Sequence, residues 1–359
     1  MHPAETSREK LLPLSTDGEL RRRFMVVTEP IPGNFRFGVL LEFLDTLAAE
    51  TAIAHARRTN PLARVVTAAL DQIVVRHVAD VSADVRCQAR INHVGRTSME
   101  VGIRVDQDGG RRHLASCYFT MVARDGDGPD ARSIPLPQLE PGGPPERARA
   151  ERALERRAAW RRELESAVEP PTREEFELLS RVHRAQDQAG FQGARASALV
   201  TENWERTFPE QENWSKVIFG GFIMRRAYEL SSICAERVAT QRPVIAAVNR
   251  INFFTPVNIG DKIHLTGHVA FTSGPAICVE TGIERVSRDR SARALSNSCL
   301  FTFVNLGPDL QPADVPEVFP ATYGEDARYL EARRNLRTLL ARATKGWVGS
   351  EALKGHRLP

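Results

Sequence analysis

The chain has little that would tie it to a membrane, a metal or a nucleotide. No apolar run approaches the ~18 residues that a membrane span requires, and the N-terminal stretch lacks the short apolar core of a secretory signal. Its Arg8, Arg21, Arg22 and Arg23 are interleaved with Glu5, Glu9, Asp17 and Glu19, whereas mitochondrial transit peptides are poor in acids. The expectation is a cytoplasmic protein, with the mitochondrial matrix as the alternative. The five cysteines, Cys87, Cys117, Cys234, Cys278 and Cys299, form no CxxC pair and sit singly in apolar runs, so they read as reduced core residues. The nine histidines have no metal-ligand spacing, and no metal is expected. A GxSxG elbow, a P-loop and a GxGxxG fingerprint are all missing, which argues against a serine hydrolase, an NTPase and a dinucleotide enzyme. The net charge of +4, from 49 basic against 45 acidic residues, is too small for a nucleic-acid-binding face, although it suits an anionic small molecule.

What is present is ordinary globular composition, twice over. With 359 residues and 42% hydrophobic content, the chain exceeds one compact core and predicts two domains of roughly 100 to 150 residues. Internal similarity supports this. The run Val66 to Ile73 (VTAALDQI) returns as Val244 to Ile251 (VIAAVNRI). Ser116 to Val122 (SCYFTMV) returns as Ser298 to Val304 (SCLFTFV), and the FG at Phe37 and Gly38 returns as the FGG of Phe219 to Gly221.

Each copy reads as a Gly-containing entry, a long apolar helix and four strands. In the first copy the helix is expected over Val39 to Arg58, with strands over Val65 to Val75, Ser82 to His93, Thr97 to Gln107 and Arg112 to Ala123. In the second the helix covers Phe222 to Ala239, with strands over Val244 to Phe254, Lys262 to Thr272, Ala276 to Ser287 and Ala292 to Asn305. Turns at Asp108-Gly109-Gly110 and Ser273-Gly274-Pro275 suit antiparallel connections. This order predicts an α+β fold in which an antiparallel sheet wraps a long helix. The proline-rich Ser133 to Pro145 reads as a non-helical linker, Glu146 to Val168 as a solvated connecting helix, and Asp326 to Ala343 as a further helix. The divisions are an N-terminal segment over 1–19, a first domain over 20–128, the linker and charged helix over 129–190, a second domain over 191–308 and a helical extension over 309–359. Residues 1 to 18 and 349 to 359 are expected to be poorly ordered.

The stretch from Asn213 to Gly221 (NWSKVIFGG), followed by the helix FIMRRAYELSSICA, resembles the hotdog acyl-CoA thioesterases. In that family an Asn lies eight residues before the second glycine of the motif and a carboxylate seven residues after it. Here the Asn is Asn213 and the glycines are Gly220 and Gly221, but the seven-after position is Tyr228. Counting from Gly38 in the first copy, the seven-after position is Asp45, the eight-before position is Pro30, and Phe37 replaces the first glycine. Each copy therefore keeps half of the pattern. With NFRFGVLLEFLDTLA in one copy and IFGGFIMRRAYEL in the other, the resemblance is to the double-hotdog group typified by the mitochondrial acyl-CoA thioesterases.

The resemblance implies a tandem hotdog in which the helix carboxylate of one domain faces the Gly-Gly turn of the other. Asp45, Asn213 and Gly221 are then the catalytic candidates, and the reciprocal pairing of Tyr228 with Pro30 would be inactive. Thioester hydrolysis needs a base for water, a donor for the developing oxyanion and a slot for the acyl chain. Asp45, flanked by Leu41, Leu44, Ala48 and Ala49, is expected to gain basicity from apolar surroundings, as general base or as nucleophile. The Gly221 N–H, at the opening of a helix, is the oxyanion candidate, and Asn213 would hold the water or the carbonyl. Gly220, Gly38, Thr97, Ser98, Arg285 and Arg288 are expected to contact the substrate, the arginines through CoA phosphates. Glu229, one residue off the catalytic register, would be turned ~100° around the helix.

No cofactor is expected beyond the CoA carried by the substrate, and the expected partners are an acyl-CoA and further copies of the chain, in a trimer of such protomers. Two other readings remain: a non-catalytic acyl-CoA binding protein, and a hotdog enoyl-CoA hydratase. The second would need an Asp and a His five residues apart, whereas His264 follows Asp261 by three.

Overall fold

The computed structural model describes residues 1–29, 31–126, 131–165, 170–213, 216–249, 251–342 and 348. Pro30, Val168, Ala343, the expected boundary at 128 and 129, and the tail from 349 lie outside them.

The first repeat opens with β1 (Arg8–Leu12) and α1 (Gly18–Phe24), followed by the long helix α2 (Phe37–Ala56). Its strands are β2 (Arg64–Leu70), β3 (Ile73–Val74), β4 (Val85–Val94), β5 (Ser98–Gln107), β6 (Arg112–Asp125) and β7 (Arg132–Ser133). Two linker helices follow, α3 (Pro144–Glu165) and α4 (Arg173–Gln186). The second repeat holds β8 (Ala194–Arg195), β9 (Val200–Arg206), helix α5 (Gly220–Ala235), β10 (Arg242–Val248), β11 (Ile251–Asn252), β12 (Lys262–Ser273), β13 (Ala276–Val286) and β14 (Arg293–Leu306). The chain continues through β15 (Val318–Phe319) into α6 (Tyr323–Arg342).

Alternation decides the strands. Along β4 the inward Val85, Cys87, Ala89 and Ile91 are buried between partly exposed Arg86, Gln88 and Arg90, the period-2 pattern of a sheet with one face on a core. The inner faces pack on α2 and α5. Leu40, Leu41, Leu44, Leu47, Ala48 and Ala52 of α2 are all buried, as expected of a helix that is apolar nearly all round. The first sheet runs β1-β4-β5-β6-β2-β11 and the second β9-β12-β13-β14-β10-β3, both antiparallel. The turns at Gly109 and Gly274 adopt φ of +65° and +54°, which glycine tolerates and other residues resist.

Three features depart from the sequence reading. The expected strands over Val65 to Val75 and Val244 to Phe254 each break in two, and the second piece crosses to the other repeat. Thus β3 pairs with β10, and β11 with β2. The two sheets are stitched together by their own continuations, a tertiary pairing invisible to local pattern. Residues 1 to 18 are built into the structure, since β1 extends the first sheet by pairing with β4. The charged helix α3 is not merely solvated. Its Ala153 is buried, Arg156 lies 3.7 Å over the Tyr118 ring and bonds Glu100 at 2.6 Å, and Trp160 Nε1 donates to Asn252 Oδ1 at 2.8 Å.

The helix expected over Asp326 to Ala343 is α6. It covers the outer face of the second sheet, burying Tyr329, Leu330, Leu336 and Leu339 against Phe271, Ala270, Cys278 and Val304. All five cysteines are buried and unpaired. No described helix is long and apolar enough to cross a membrane.

Candidate active site

The two central helices cross closely because glycines lie in their first turns. A methyl on Gly221 would come within 2.9 Å of Glu42 Cα and 3.0 Å of its carbonyl oxygen, and one on Gly38 within 3.2 Å of the Arg225 carbonyl oxygen. Close approach of two backbones is what glycine permits. The contacts are mutual: Gly38 meets the helix of the second repeat as Gly221 meets that of the first.

At the Gly221 end this packing brings Asp45 of α2 onto the N-terminus of α5. Asp45 is fully buried. Its Oδ2 accepts from Gly221 N at 2.6 Å, and its Oδ1 accepts from Thr67 Oγ1 at 2.7 Å. Burial pushes the carboxyl from its ordinary 3.8 up to about 6, against the opposing pull of the Thr67 and Gly221 hydrogen bonds, while Glu42 adds a small upward push. A carboxylate whose desolvation outweighs two hydrogen bonds is a stronger base than a solvated one. Gly220, the first residue of α5, leaves room beside it: a methyl there would stand 3.3 Å from Asp45 Oδ2 and 3.2 Å from the Phe253 ring. The Gly220 N–H has no acceptor among the described residues, as expected for an amide at the start of a helix.

Thr67 was not singled out from sequence, although the repeat contains its signal. It stands where the second copy has Ile245, a hydroxyl in place of a branched hydrocarbon. A bulge at Ala68 follows it, and the same irregularity recurs at Ala246. The carbonyls of these two residues accept from Phe253 N at 3.1 Å and from Val75 N at 2.9 Å, the first residues after the exchanged strands. Bulges re-aim side chains, and here one delivers Thr67 to Asp45.

At the other end the same four positions are filled differently. Tyr228 replaces Asp45, Phe37 replaces Gly220, Ile245 replaces Thr67 and Val75 replaces Phe253. The buried Tyr228 ring packs on Phe37, Phe301 and Phe303 with centroids 5.7 to 5.9 Å away. Burial raises its phenol pKa. Gly38 belongs to this end, with Tyr228 Cδ1 2.9 Å from where its methyl would be. Pro30 lies outside the described residues.

The remaining sequence candidates fall in several places. Asn213 closes the turn that enters α5: its Oδ1 accepts from Val217 N at 3.4 Å, and its backbone N–H donates to Val217 O at 2.8 Å. Thr97 lies in the turn before β5, where its carbonyl accepts from Ala123 N. Ser98 faces the outer side of the first sheet, in a cleft with Glu100, Tyr118, Thr120 and Arg156, away from Asp45. Arg285 Nε donates to Asp261 Oδ2 at 2.5 Å, and Arg288 N to Asp261 Oδ1 at 3.1 Å, so Asp261 organises that turn. Arg288 itself is exposed. Glu229 is held by Arg36 at 2.5 Å and by Arg226 at 2.8 Å, a structural ion-pair network. A cavity of about 460 Å³ lined by Arg90, Arg104, Arg149 and Arg152 lies on the outer face of the first sheet, on the side opposite α2.

The model of the Thioesterase superfamily matches residues 33–113 and 215–291, one region in each repeat. Human mitochondrial acyl-coenzyme A thioesterase 9 is 31% identical over 356 residues, covering 94% of this chain and 78% of that one. Mouse mitochondrial acyl-coenzyme A thioesterase 10 is 29% identical over 350 residues, covering 92% and 77%. Among solved structures, an acyl-CoA hydrolase from Staphylococcus aureus in complex with butyryl coenzyme A aligns with 41% of this chain and 90% of that one, at 24% identity and a TM-score of 0.39. With two such regions, and with similarity to these relatives along nearly its whole length, the chain belongs to the acyl-CoA thioesterases of the Thioesterase superfamily, as a double hotdog.

Proposed function

We propose that the chain hydrolyses the thioester of an acyl-CoA to free acid and CoA at one composite site, where Asp45 and Thr67 of the first repeat meet Gly220 and Gly221 of the second. The observation that carries this reading is the bond between Asp45 and the Gly221 amide, with tyrosine at the equivalent of Asp45 in the other half.

The Gly220 amide opens α5 and has the helix dipole behind it, so it is aimed at a thioester oxygen as charge develops there. The Gly221 amide, held by Asp45, becomes available to the same oxygen as the carboxylate turns to water or substrate. Asp45 as base takes a proton from water while that water attacks the carbonyl carbon. The C–S bond then breaks, and the CoA sulfur receives the proton. As nucleophile, Asp45 attacks the carbon itself, expels CoA and leaves a mixed anhydride that water cleaves. After a single turnover in ¹⁸O-water, label in Asp45 would establish the anhydride route with water attacking the aspartyl carbonyl, whereas attack at the acyl carbonyl, like the general-base route, puts the label in the released acid. Trapping the acyl-enzyme anhydride with hydroxylamine separates those two. Asn213 positions the segment entering α5 and is proposed to reach the water or the carbonyl from there. Arg288 is proposed to meet CoA phosphates at the surface.

Free-thiol release from acyl-CoAs of graded chain length tests the reading, with Asp45→Asn and Asn213→Ala alongside. Losses above ~100-fold in both, with the fold intact, are expected for removal of a base and a donor. Turnover surviving both changes moves the chemistry elsewhere, and binding without turnover makes the chain an acyl-CoA sensor. Association into a trimer of these protomers is also proposed, although α3 and α6 already cover outer sheet faces within the chain. A solution mass near 40 kDa would exclude it.

A further inference from the structure

The outer faces of the two sheets are covered differently. On the second sheet α6 lays Tyr329, Leu330, Leu336 and Leu339 against Ala270, Cys278 and Val304, sealing the face with hydrocarbon. On the first sheet the matching positions are polar: Asn92 stands at the bulge where the second repeat has Ala270, Glu100 replaces Cys278, and Tyr118 replaces Leu300. Helix α3 crosses this face, and its N-terminal half leaves a cavity of about 460 Å³ over β4, β5, β6 and the start of β1.

Six arginines and one carboxylate, Glu9, line this cavity. Glu9 is already engaged by Arg86 at 2.7 Å and Gln88 at 2.9 Å. Two of the six arginines are neutralised, Arg104 by Asp106 at 2.7 Å and Arg156 by Glu100 at 2.6 Å. The other four, Arg8, Arg90, Arg149 and Arg152, have no ion-pair partner among the described residues. Arg90 uses only its Nε, on Ser7 Oγ at 3.1 Å, and Arg152 only its Nε, on the Ala148 carbonyl at 3.0 Å. Glu146, one turn before Arg149, is held by the Ala4 and Gly142 amides at 3.1 and 2.8 Å.

The donors are open to a ligand. Arg90 and Arg149 are half-buried; Arg149 Nε is enclosed, but the Nη atoms of both side chains keep accessible surface and have no hydrogen-bond partner. Arg152 is exposed. Burial and the charges of Arg90 and Arg152 lower the Arg149 pKa, against the opposing pull of Glu146. Like charges gathered without a counter-charge repel one another, and an anion placed between them reverses the sign of the interaction. Guanidinium forks suit phosphate oxygens above all. The one aromatic residue of the lining, Tyr118, has Arg156 over its ring at 3.7 Å, so the cavity recognises charge rather than a stacked base.

We propose that this cavity is a binding site for a diphosphate group, held by Arg90, Arg149 and Arg152 on the face of the sheet opposite α2 and Asp45. Charge sets the class: one phosphate group, at roughly −2, leaves four unpaired guanidiniums half balanced, and two joined phosphates balance them. The volume of about 460 Å³ lies within the roughly 300–1,000 Å³ of small-molecule sites. Free pyrophosphate and the diphosphate of a nucleotide share this chemistry. The assignment stands apart from the thioesterase reading and needs no turnover.

Calorimetric titration of pyrophosphate into the full chain tests this, with ADP, orthophosphate and citrate in parallel. Saturable pyrophosphate binding is expected, with orthophosphate and citrate at least ~10-fold weaker. Arg149→Gln and Arg152→Glu should each weaken it by at least ~10-fold, the order of one charge-assisted hydrogen-bond pair. Arg152 is exposed, so its variant keeps the fold, which circular dichroism checks. Arg162→Gln, farther along α3, and Arg288→Gln, at the position proposed for CoA phosphates, should leave binding unchanged. ADP matching pyrophosphate would support the site with the diphosphate carried on a nucleoside, and weaker ADP would support it with the free ion. Absence of saturable binding by either, binding that persists in both Arg149→Gln and Arg152→Glu, equal binding of orthophosphate or citrate, or equal weakening by Arg162→Gln or Arg288→Gln overturns the proposal. Failure of the thioesterase reading would appear separately, as absent thiol release.

Discussion

Glu42 and Arg225 occupy the same position of the two repeats, 183 residues apart in sequence, and their side chains pair at 2.7 Å across the crossing of α2 and α5. In a symmetric dimer of identical domains, a residue at this position faces its own copy, and like charges there repel. Joining the domains in one chain lets the two copies diverge into opposite charges. Both side chains are about four-fifths buried, so the pair is less screened than a surface one. Arg225→Glu, which places two carboxylates together, is expected to lower stability by about 1–2 kcal/mol. The exchanged pair Glu42→Arg with Arg225→Glu should recover at least half of that loss in urea denaturation. Recovery that fails would mean that the residues act through packing rather than charge.

The pH dependence of turnover should report Asp45. Its carboxyl must be ionised to act as base or nucleophile, so kcat/KM should fall as the pH drops through about 6, well above the range of an ordinary aspartate. Stability should move the other way. Folding raises this pKa, so between about pH 4 and pH 6 the native chain holds a proton that the unfolded chain has released, and stability rises as the pH falls through that window. Above pH 6 the buried charge costs roughly 3 kcal/mol at 1.36 kcal/mol per pKa unit. Asp45→Asn, expected to lose turnover on the proposed mechanism, should therefore melt higher than the parent at pH 7.5 and lose that advantage near pH 4. Equal melting temperatures at both pH values would show that the charge is compensated.

Thr67→Val keeps the shape of the side chain and removes its donor to Asp45 Oδ1. The hydrogen bond favours the ionised form, so losing it should move the acidic limb of the rate profile to higher pH and lower turnover by roughly ~10-fold, with Thr67→Ser restoring both. A slower enzyme with an unmoved limb would mean that the hydroxyl orients Asp45 without tuning it.

How these residues meet was partly legible in the sequence. The offsets of Asp45 from Gly38 and of Tyr228 from Gly221 are fixed by helix geometry, so the complementary half-patterns translate directly into one acidic and one aromatic end. Thr67 was visible only as a mismatch with Ile245, because its direction depends on a bulge in a strand that changes sheet. The exchange of β3 and β11 left no local mark either, since a two-residue strand has no periodicity of its own. The N-terminal β1 was hidden by its charges, Arg8, Glu9 and Lys10, which suit an exposed edge strand as well as a disordered tail. For α3, the weak apolar face concealed a packing that runs through Arg156 and Trp160 rather than through leucines.

The glycines offer the sharpest separation of structure from chemistry. A methyl on Gly221 would meet the Phe219 ring at 2.7 Å, Glu42 Cα at 2.9 Å and the Glu42 carbonyl oxygen at 3.0 Å. The ring can turn aside, but the backbone of α2 cannot, so Gly221→Ala must push the two helices apart. The same displacement draws the Gly221 amide from Asp45. Gly38→Ala meets Tyr228 Cδ1 at 2.9 Å and the Arg225 carbonyl oxygen at 3.2 Å, the mirror-image crowding at the end without a carboxylate. Both variants are expected to lose about 1–3 kcal/mol from overpacking, read by chemical denaturation. Only Gly221→Ala should also lose turnover, by about 100-fold at the level of one oxyanion donor, with Gly38→Ala keeping parental kcat once folded. Equal loss in both would mean that the helix crossing, and not the single Asp45 end, governs turnover, and the assignment of one active half-site would fail.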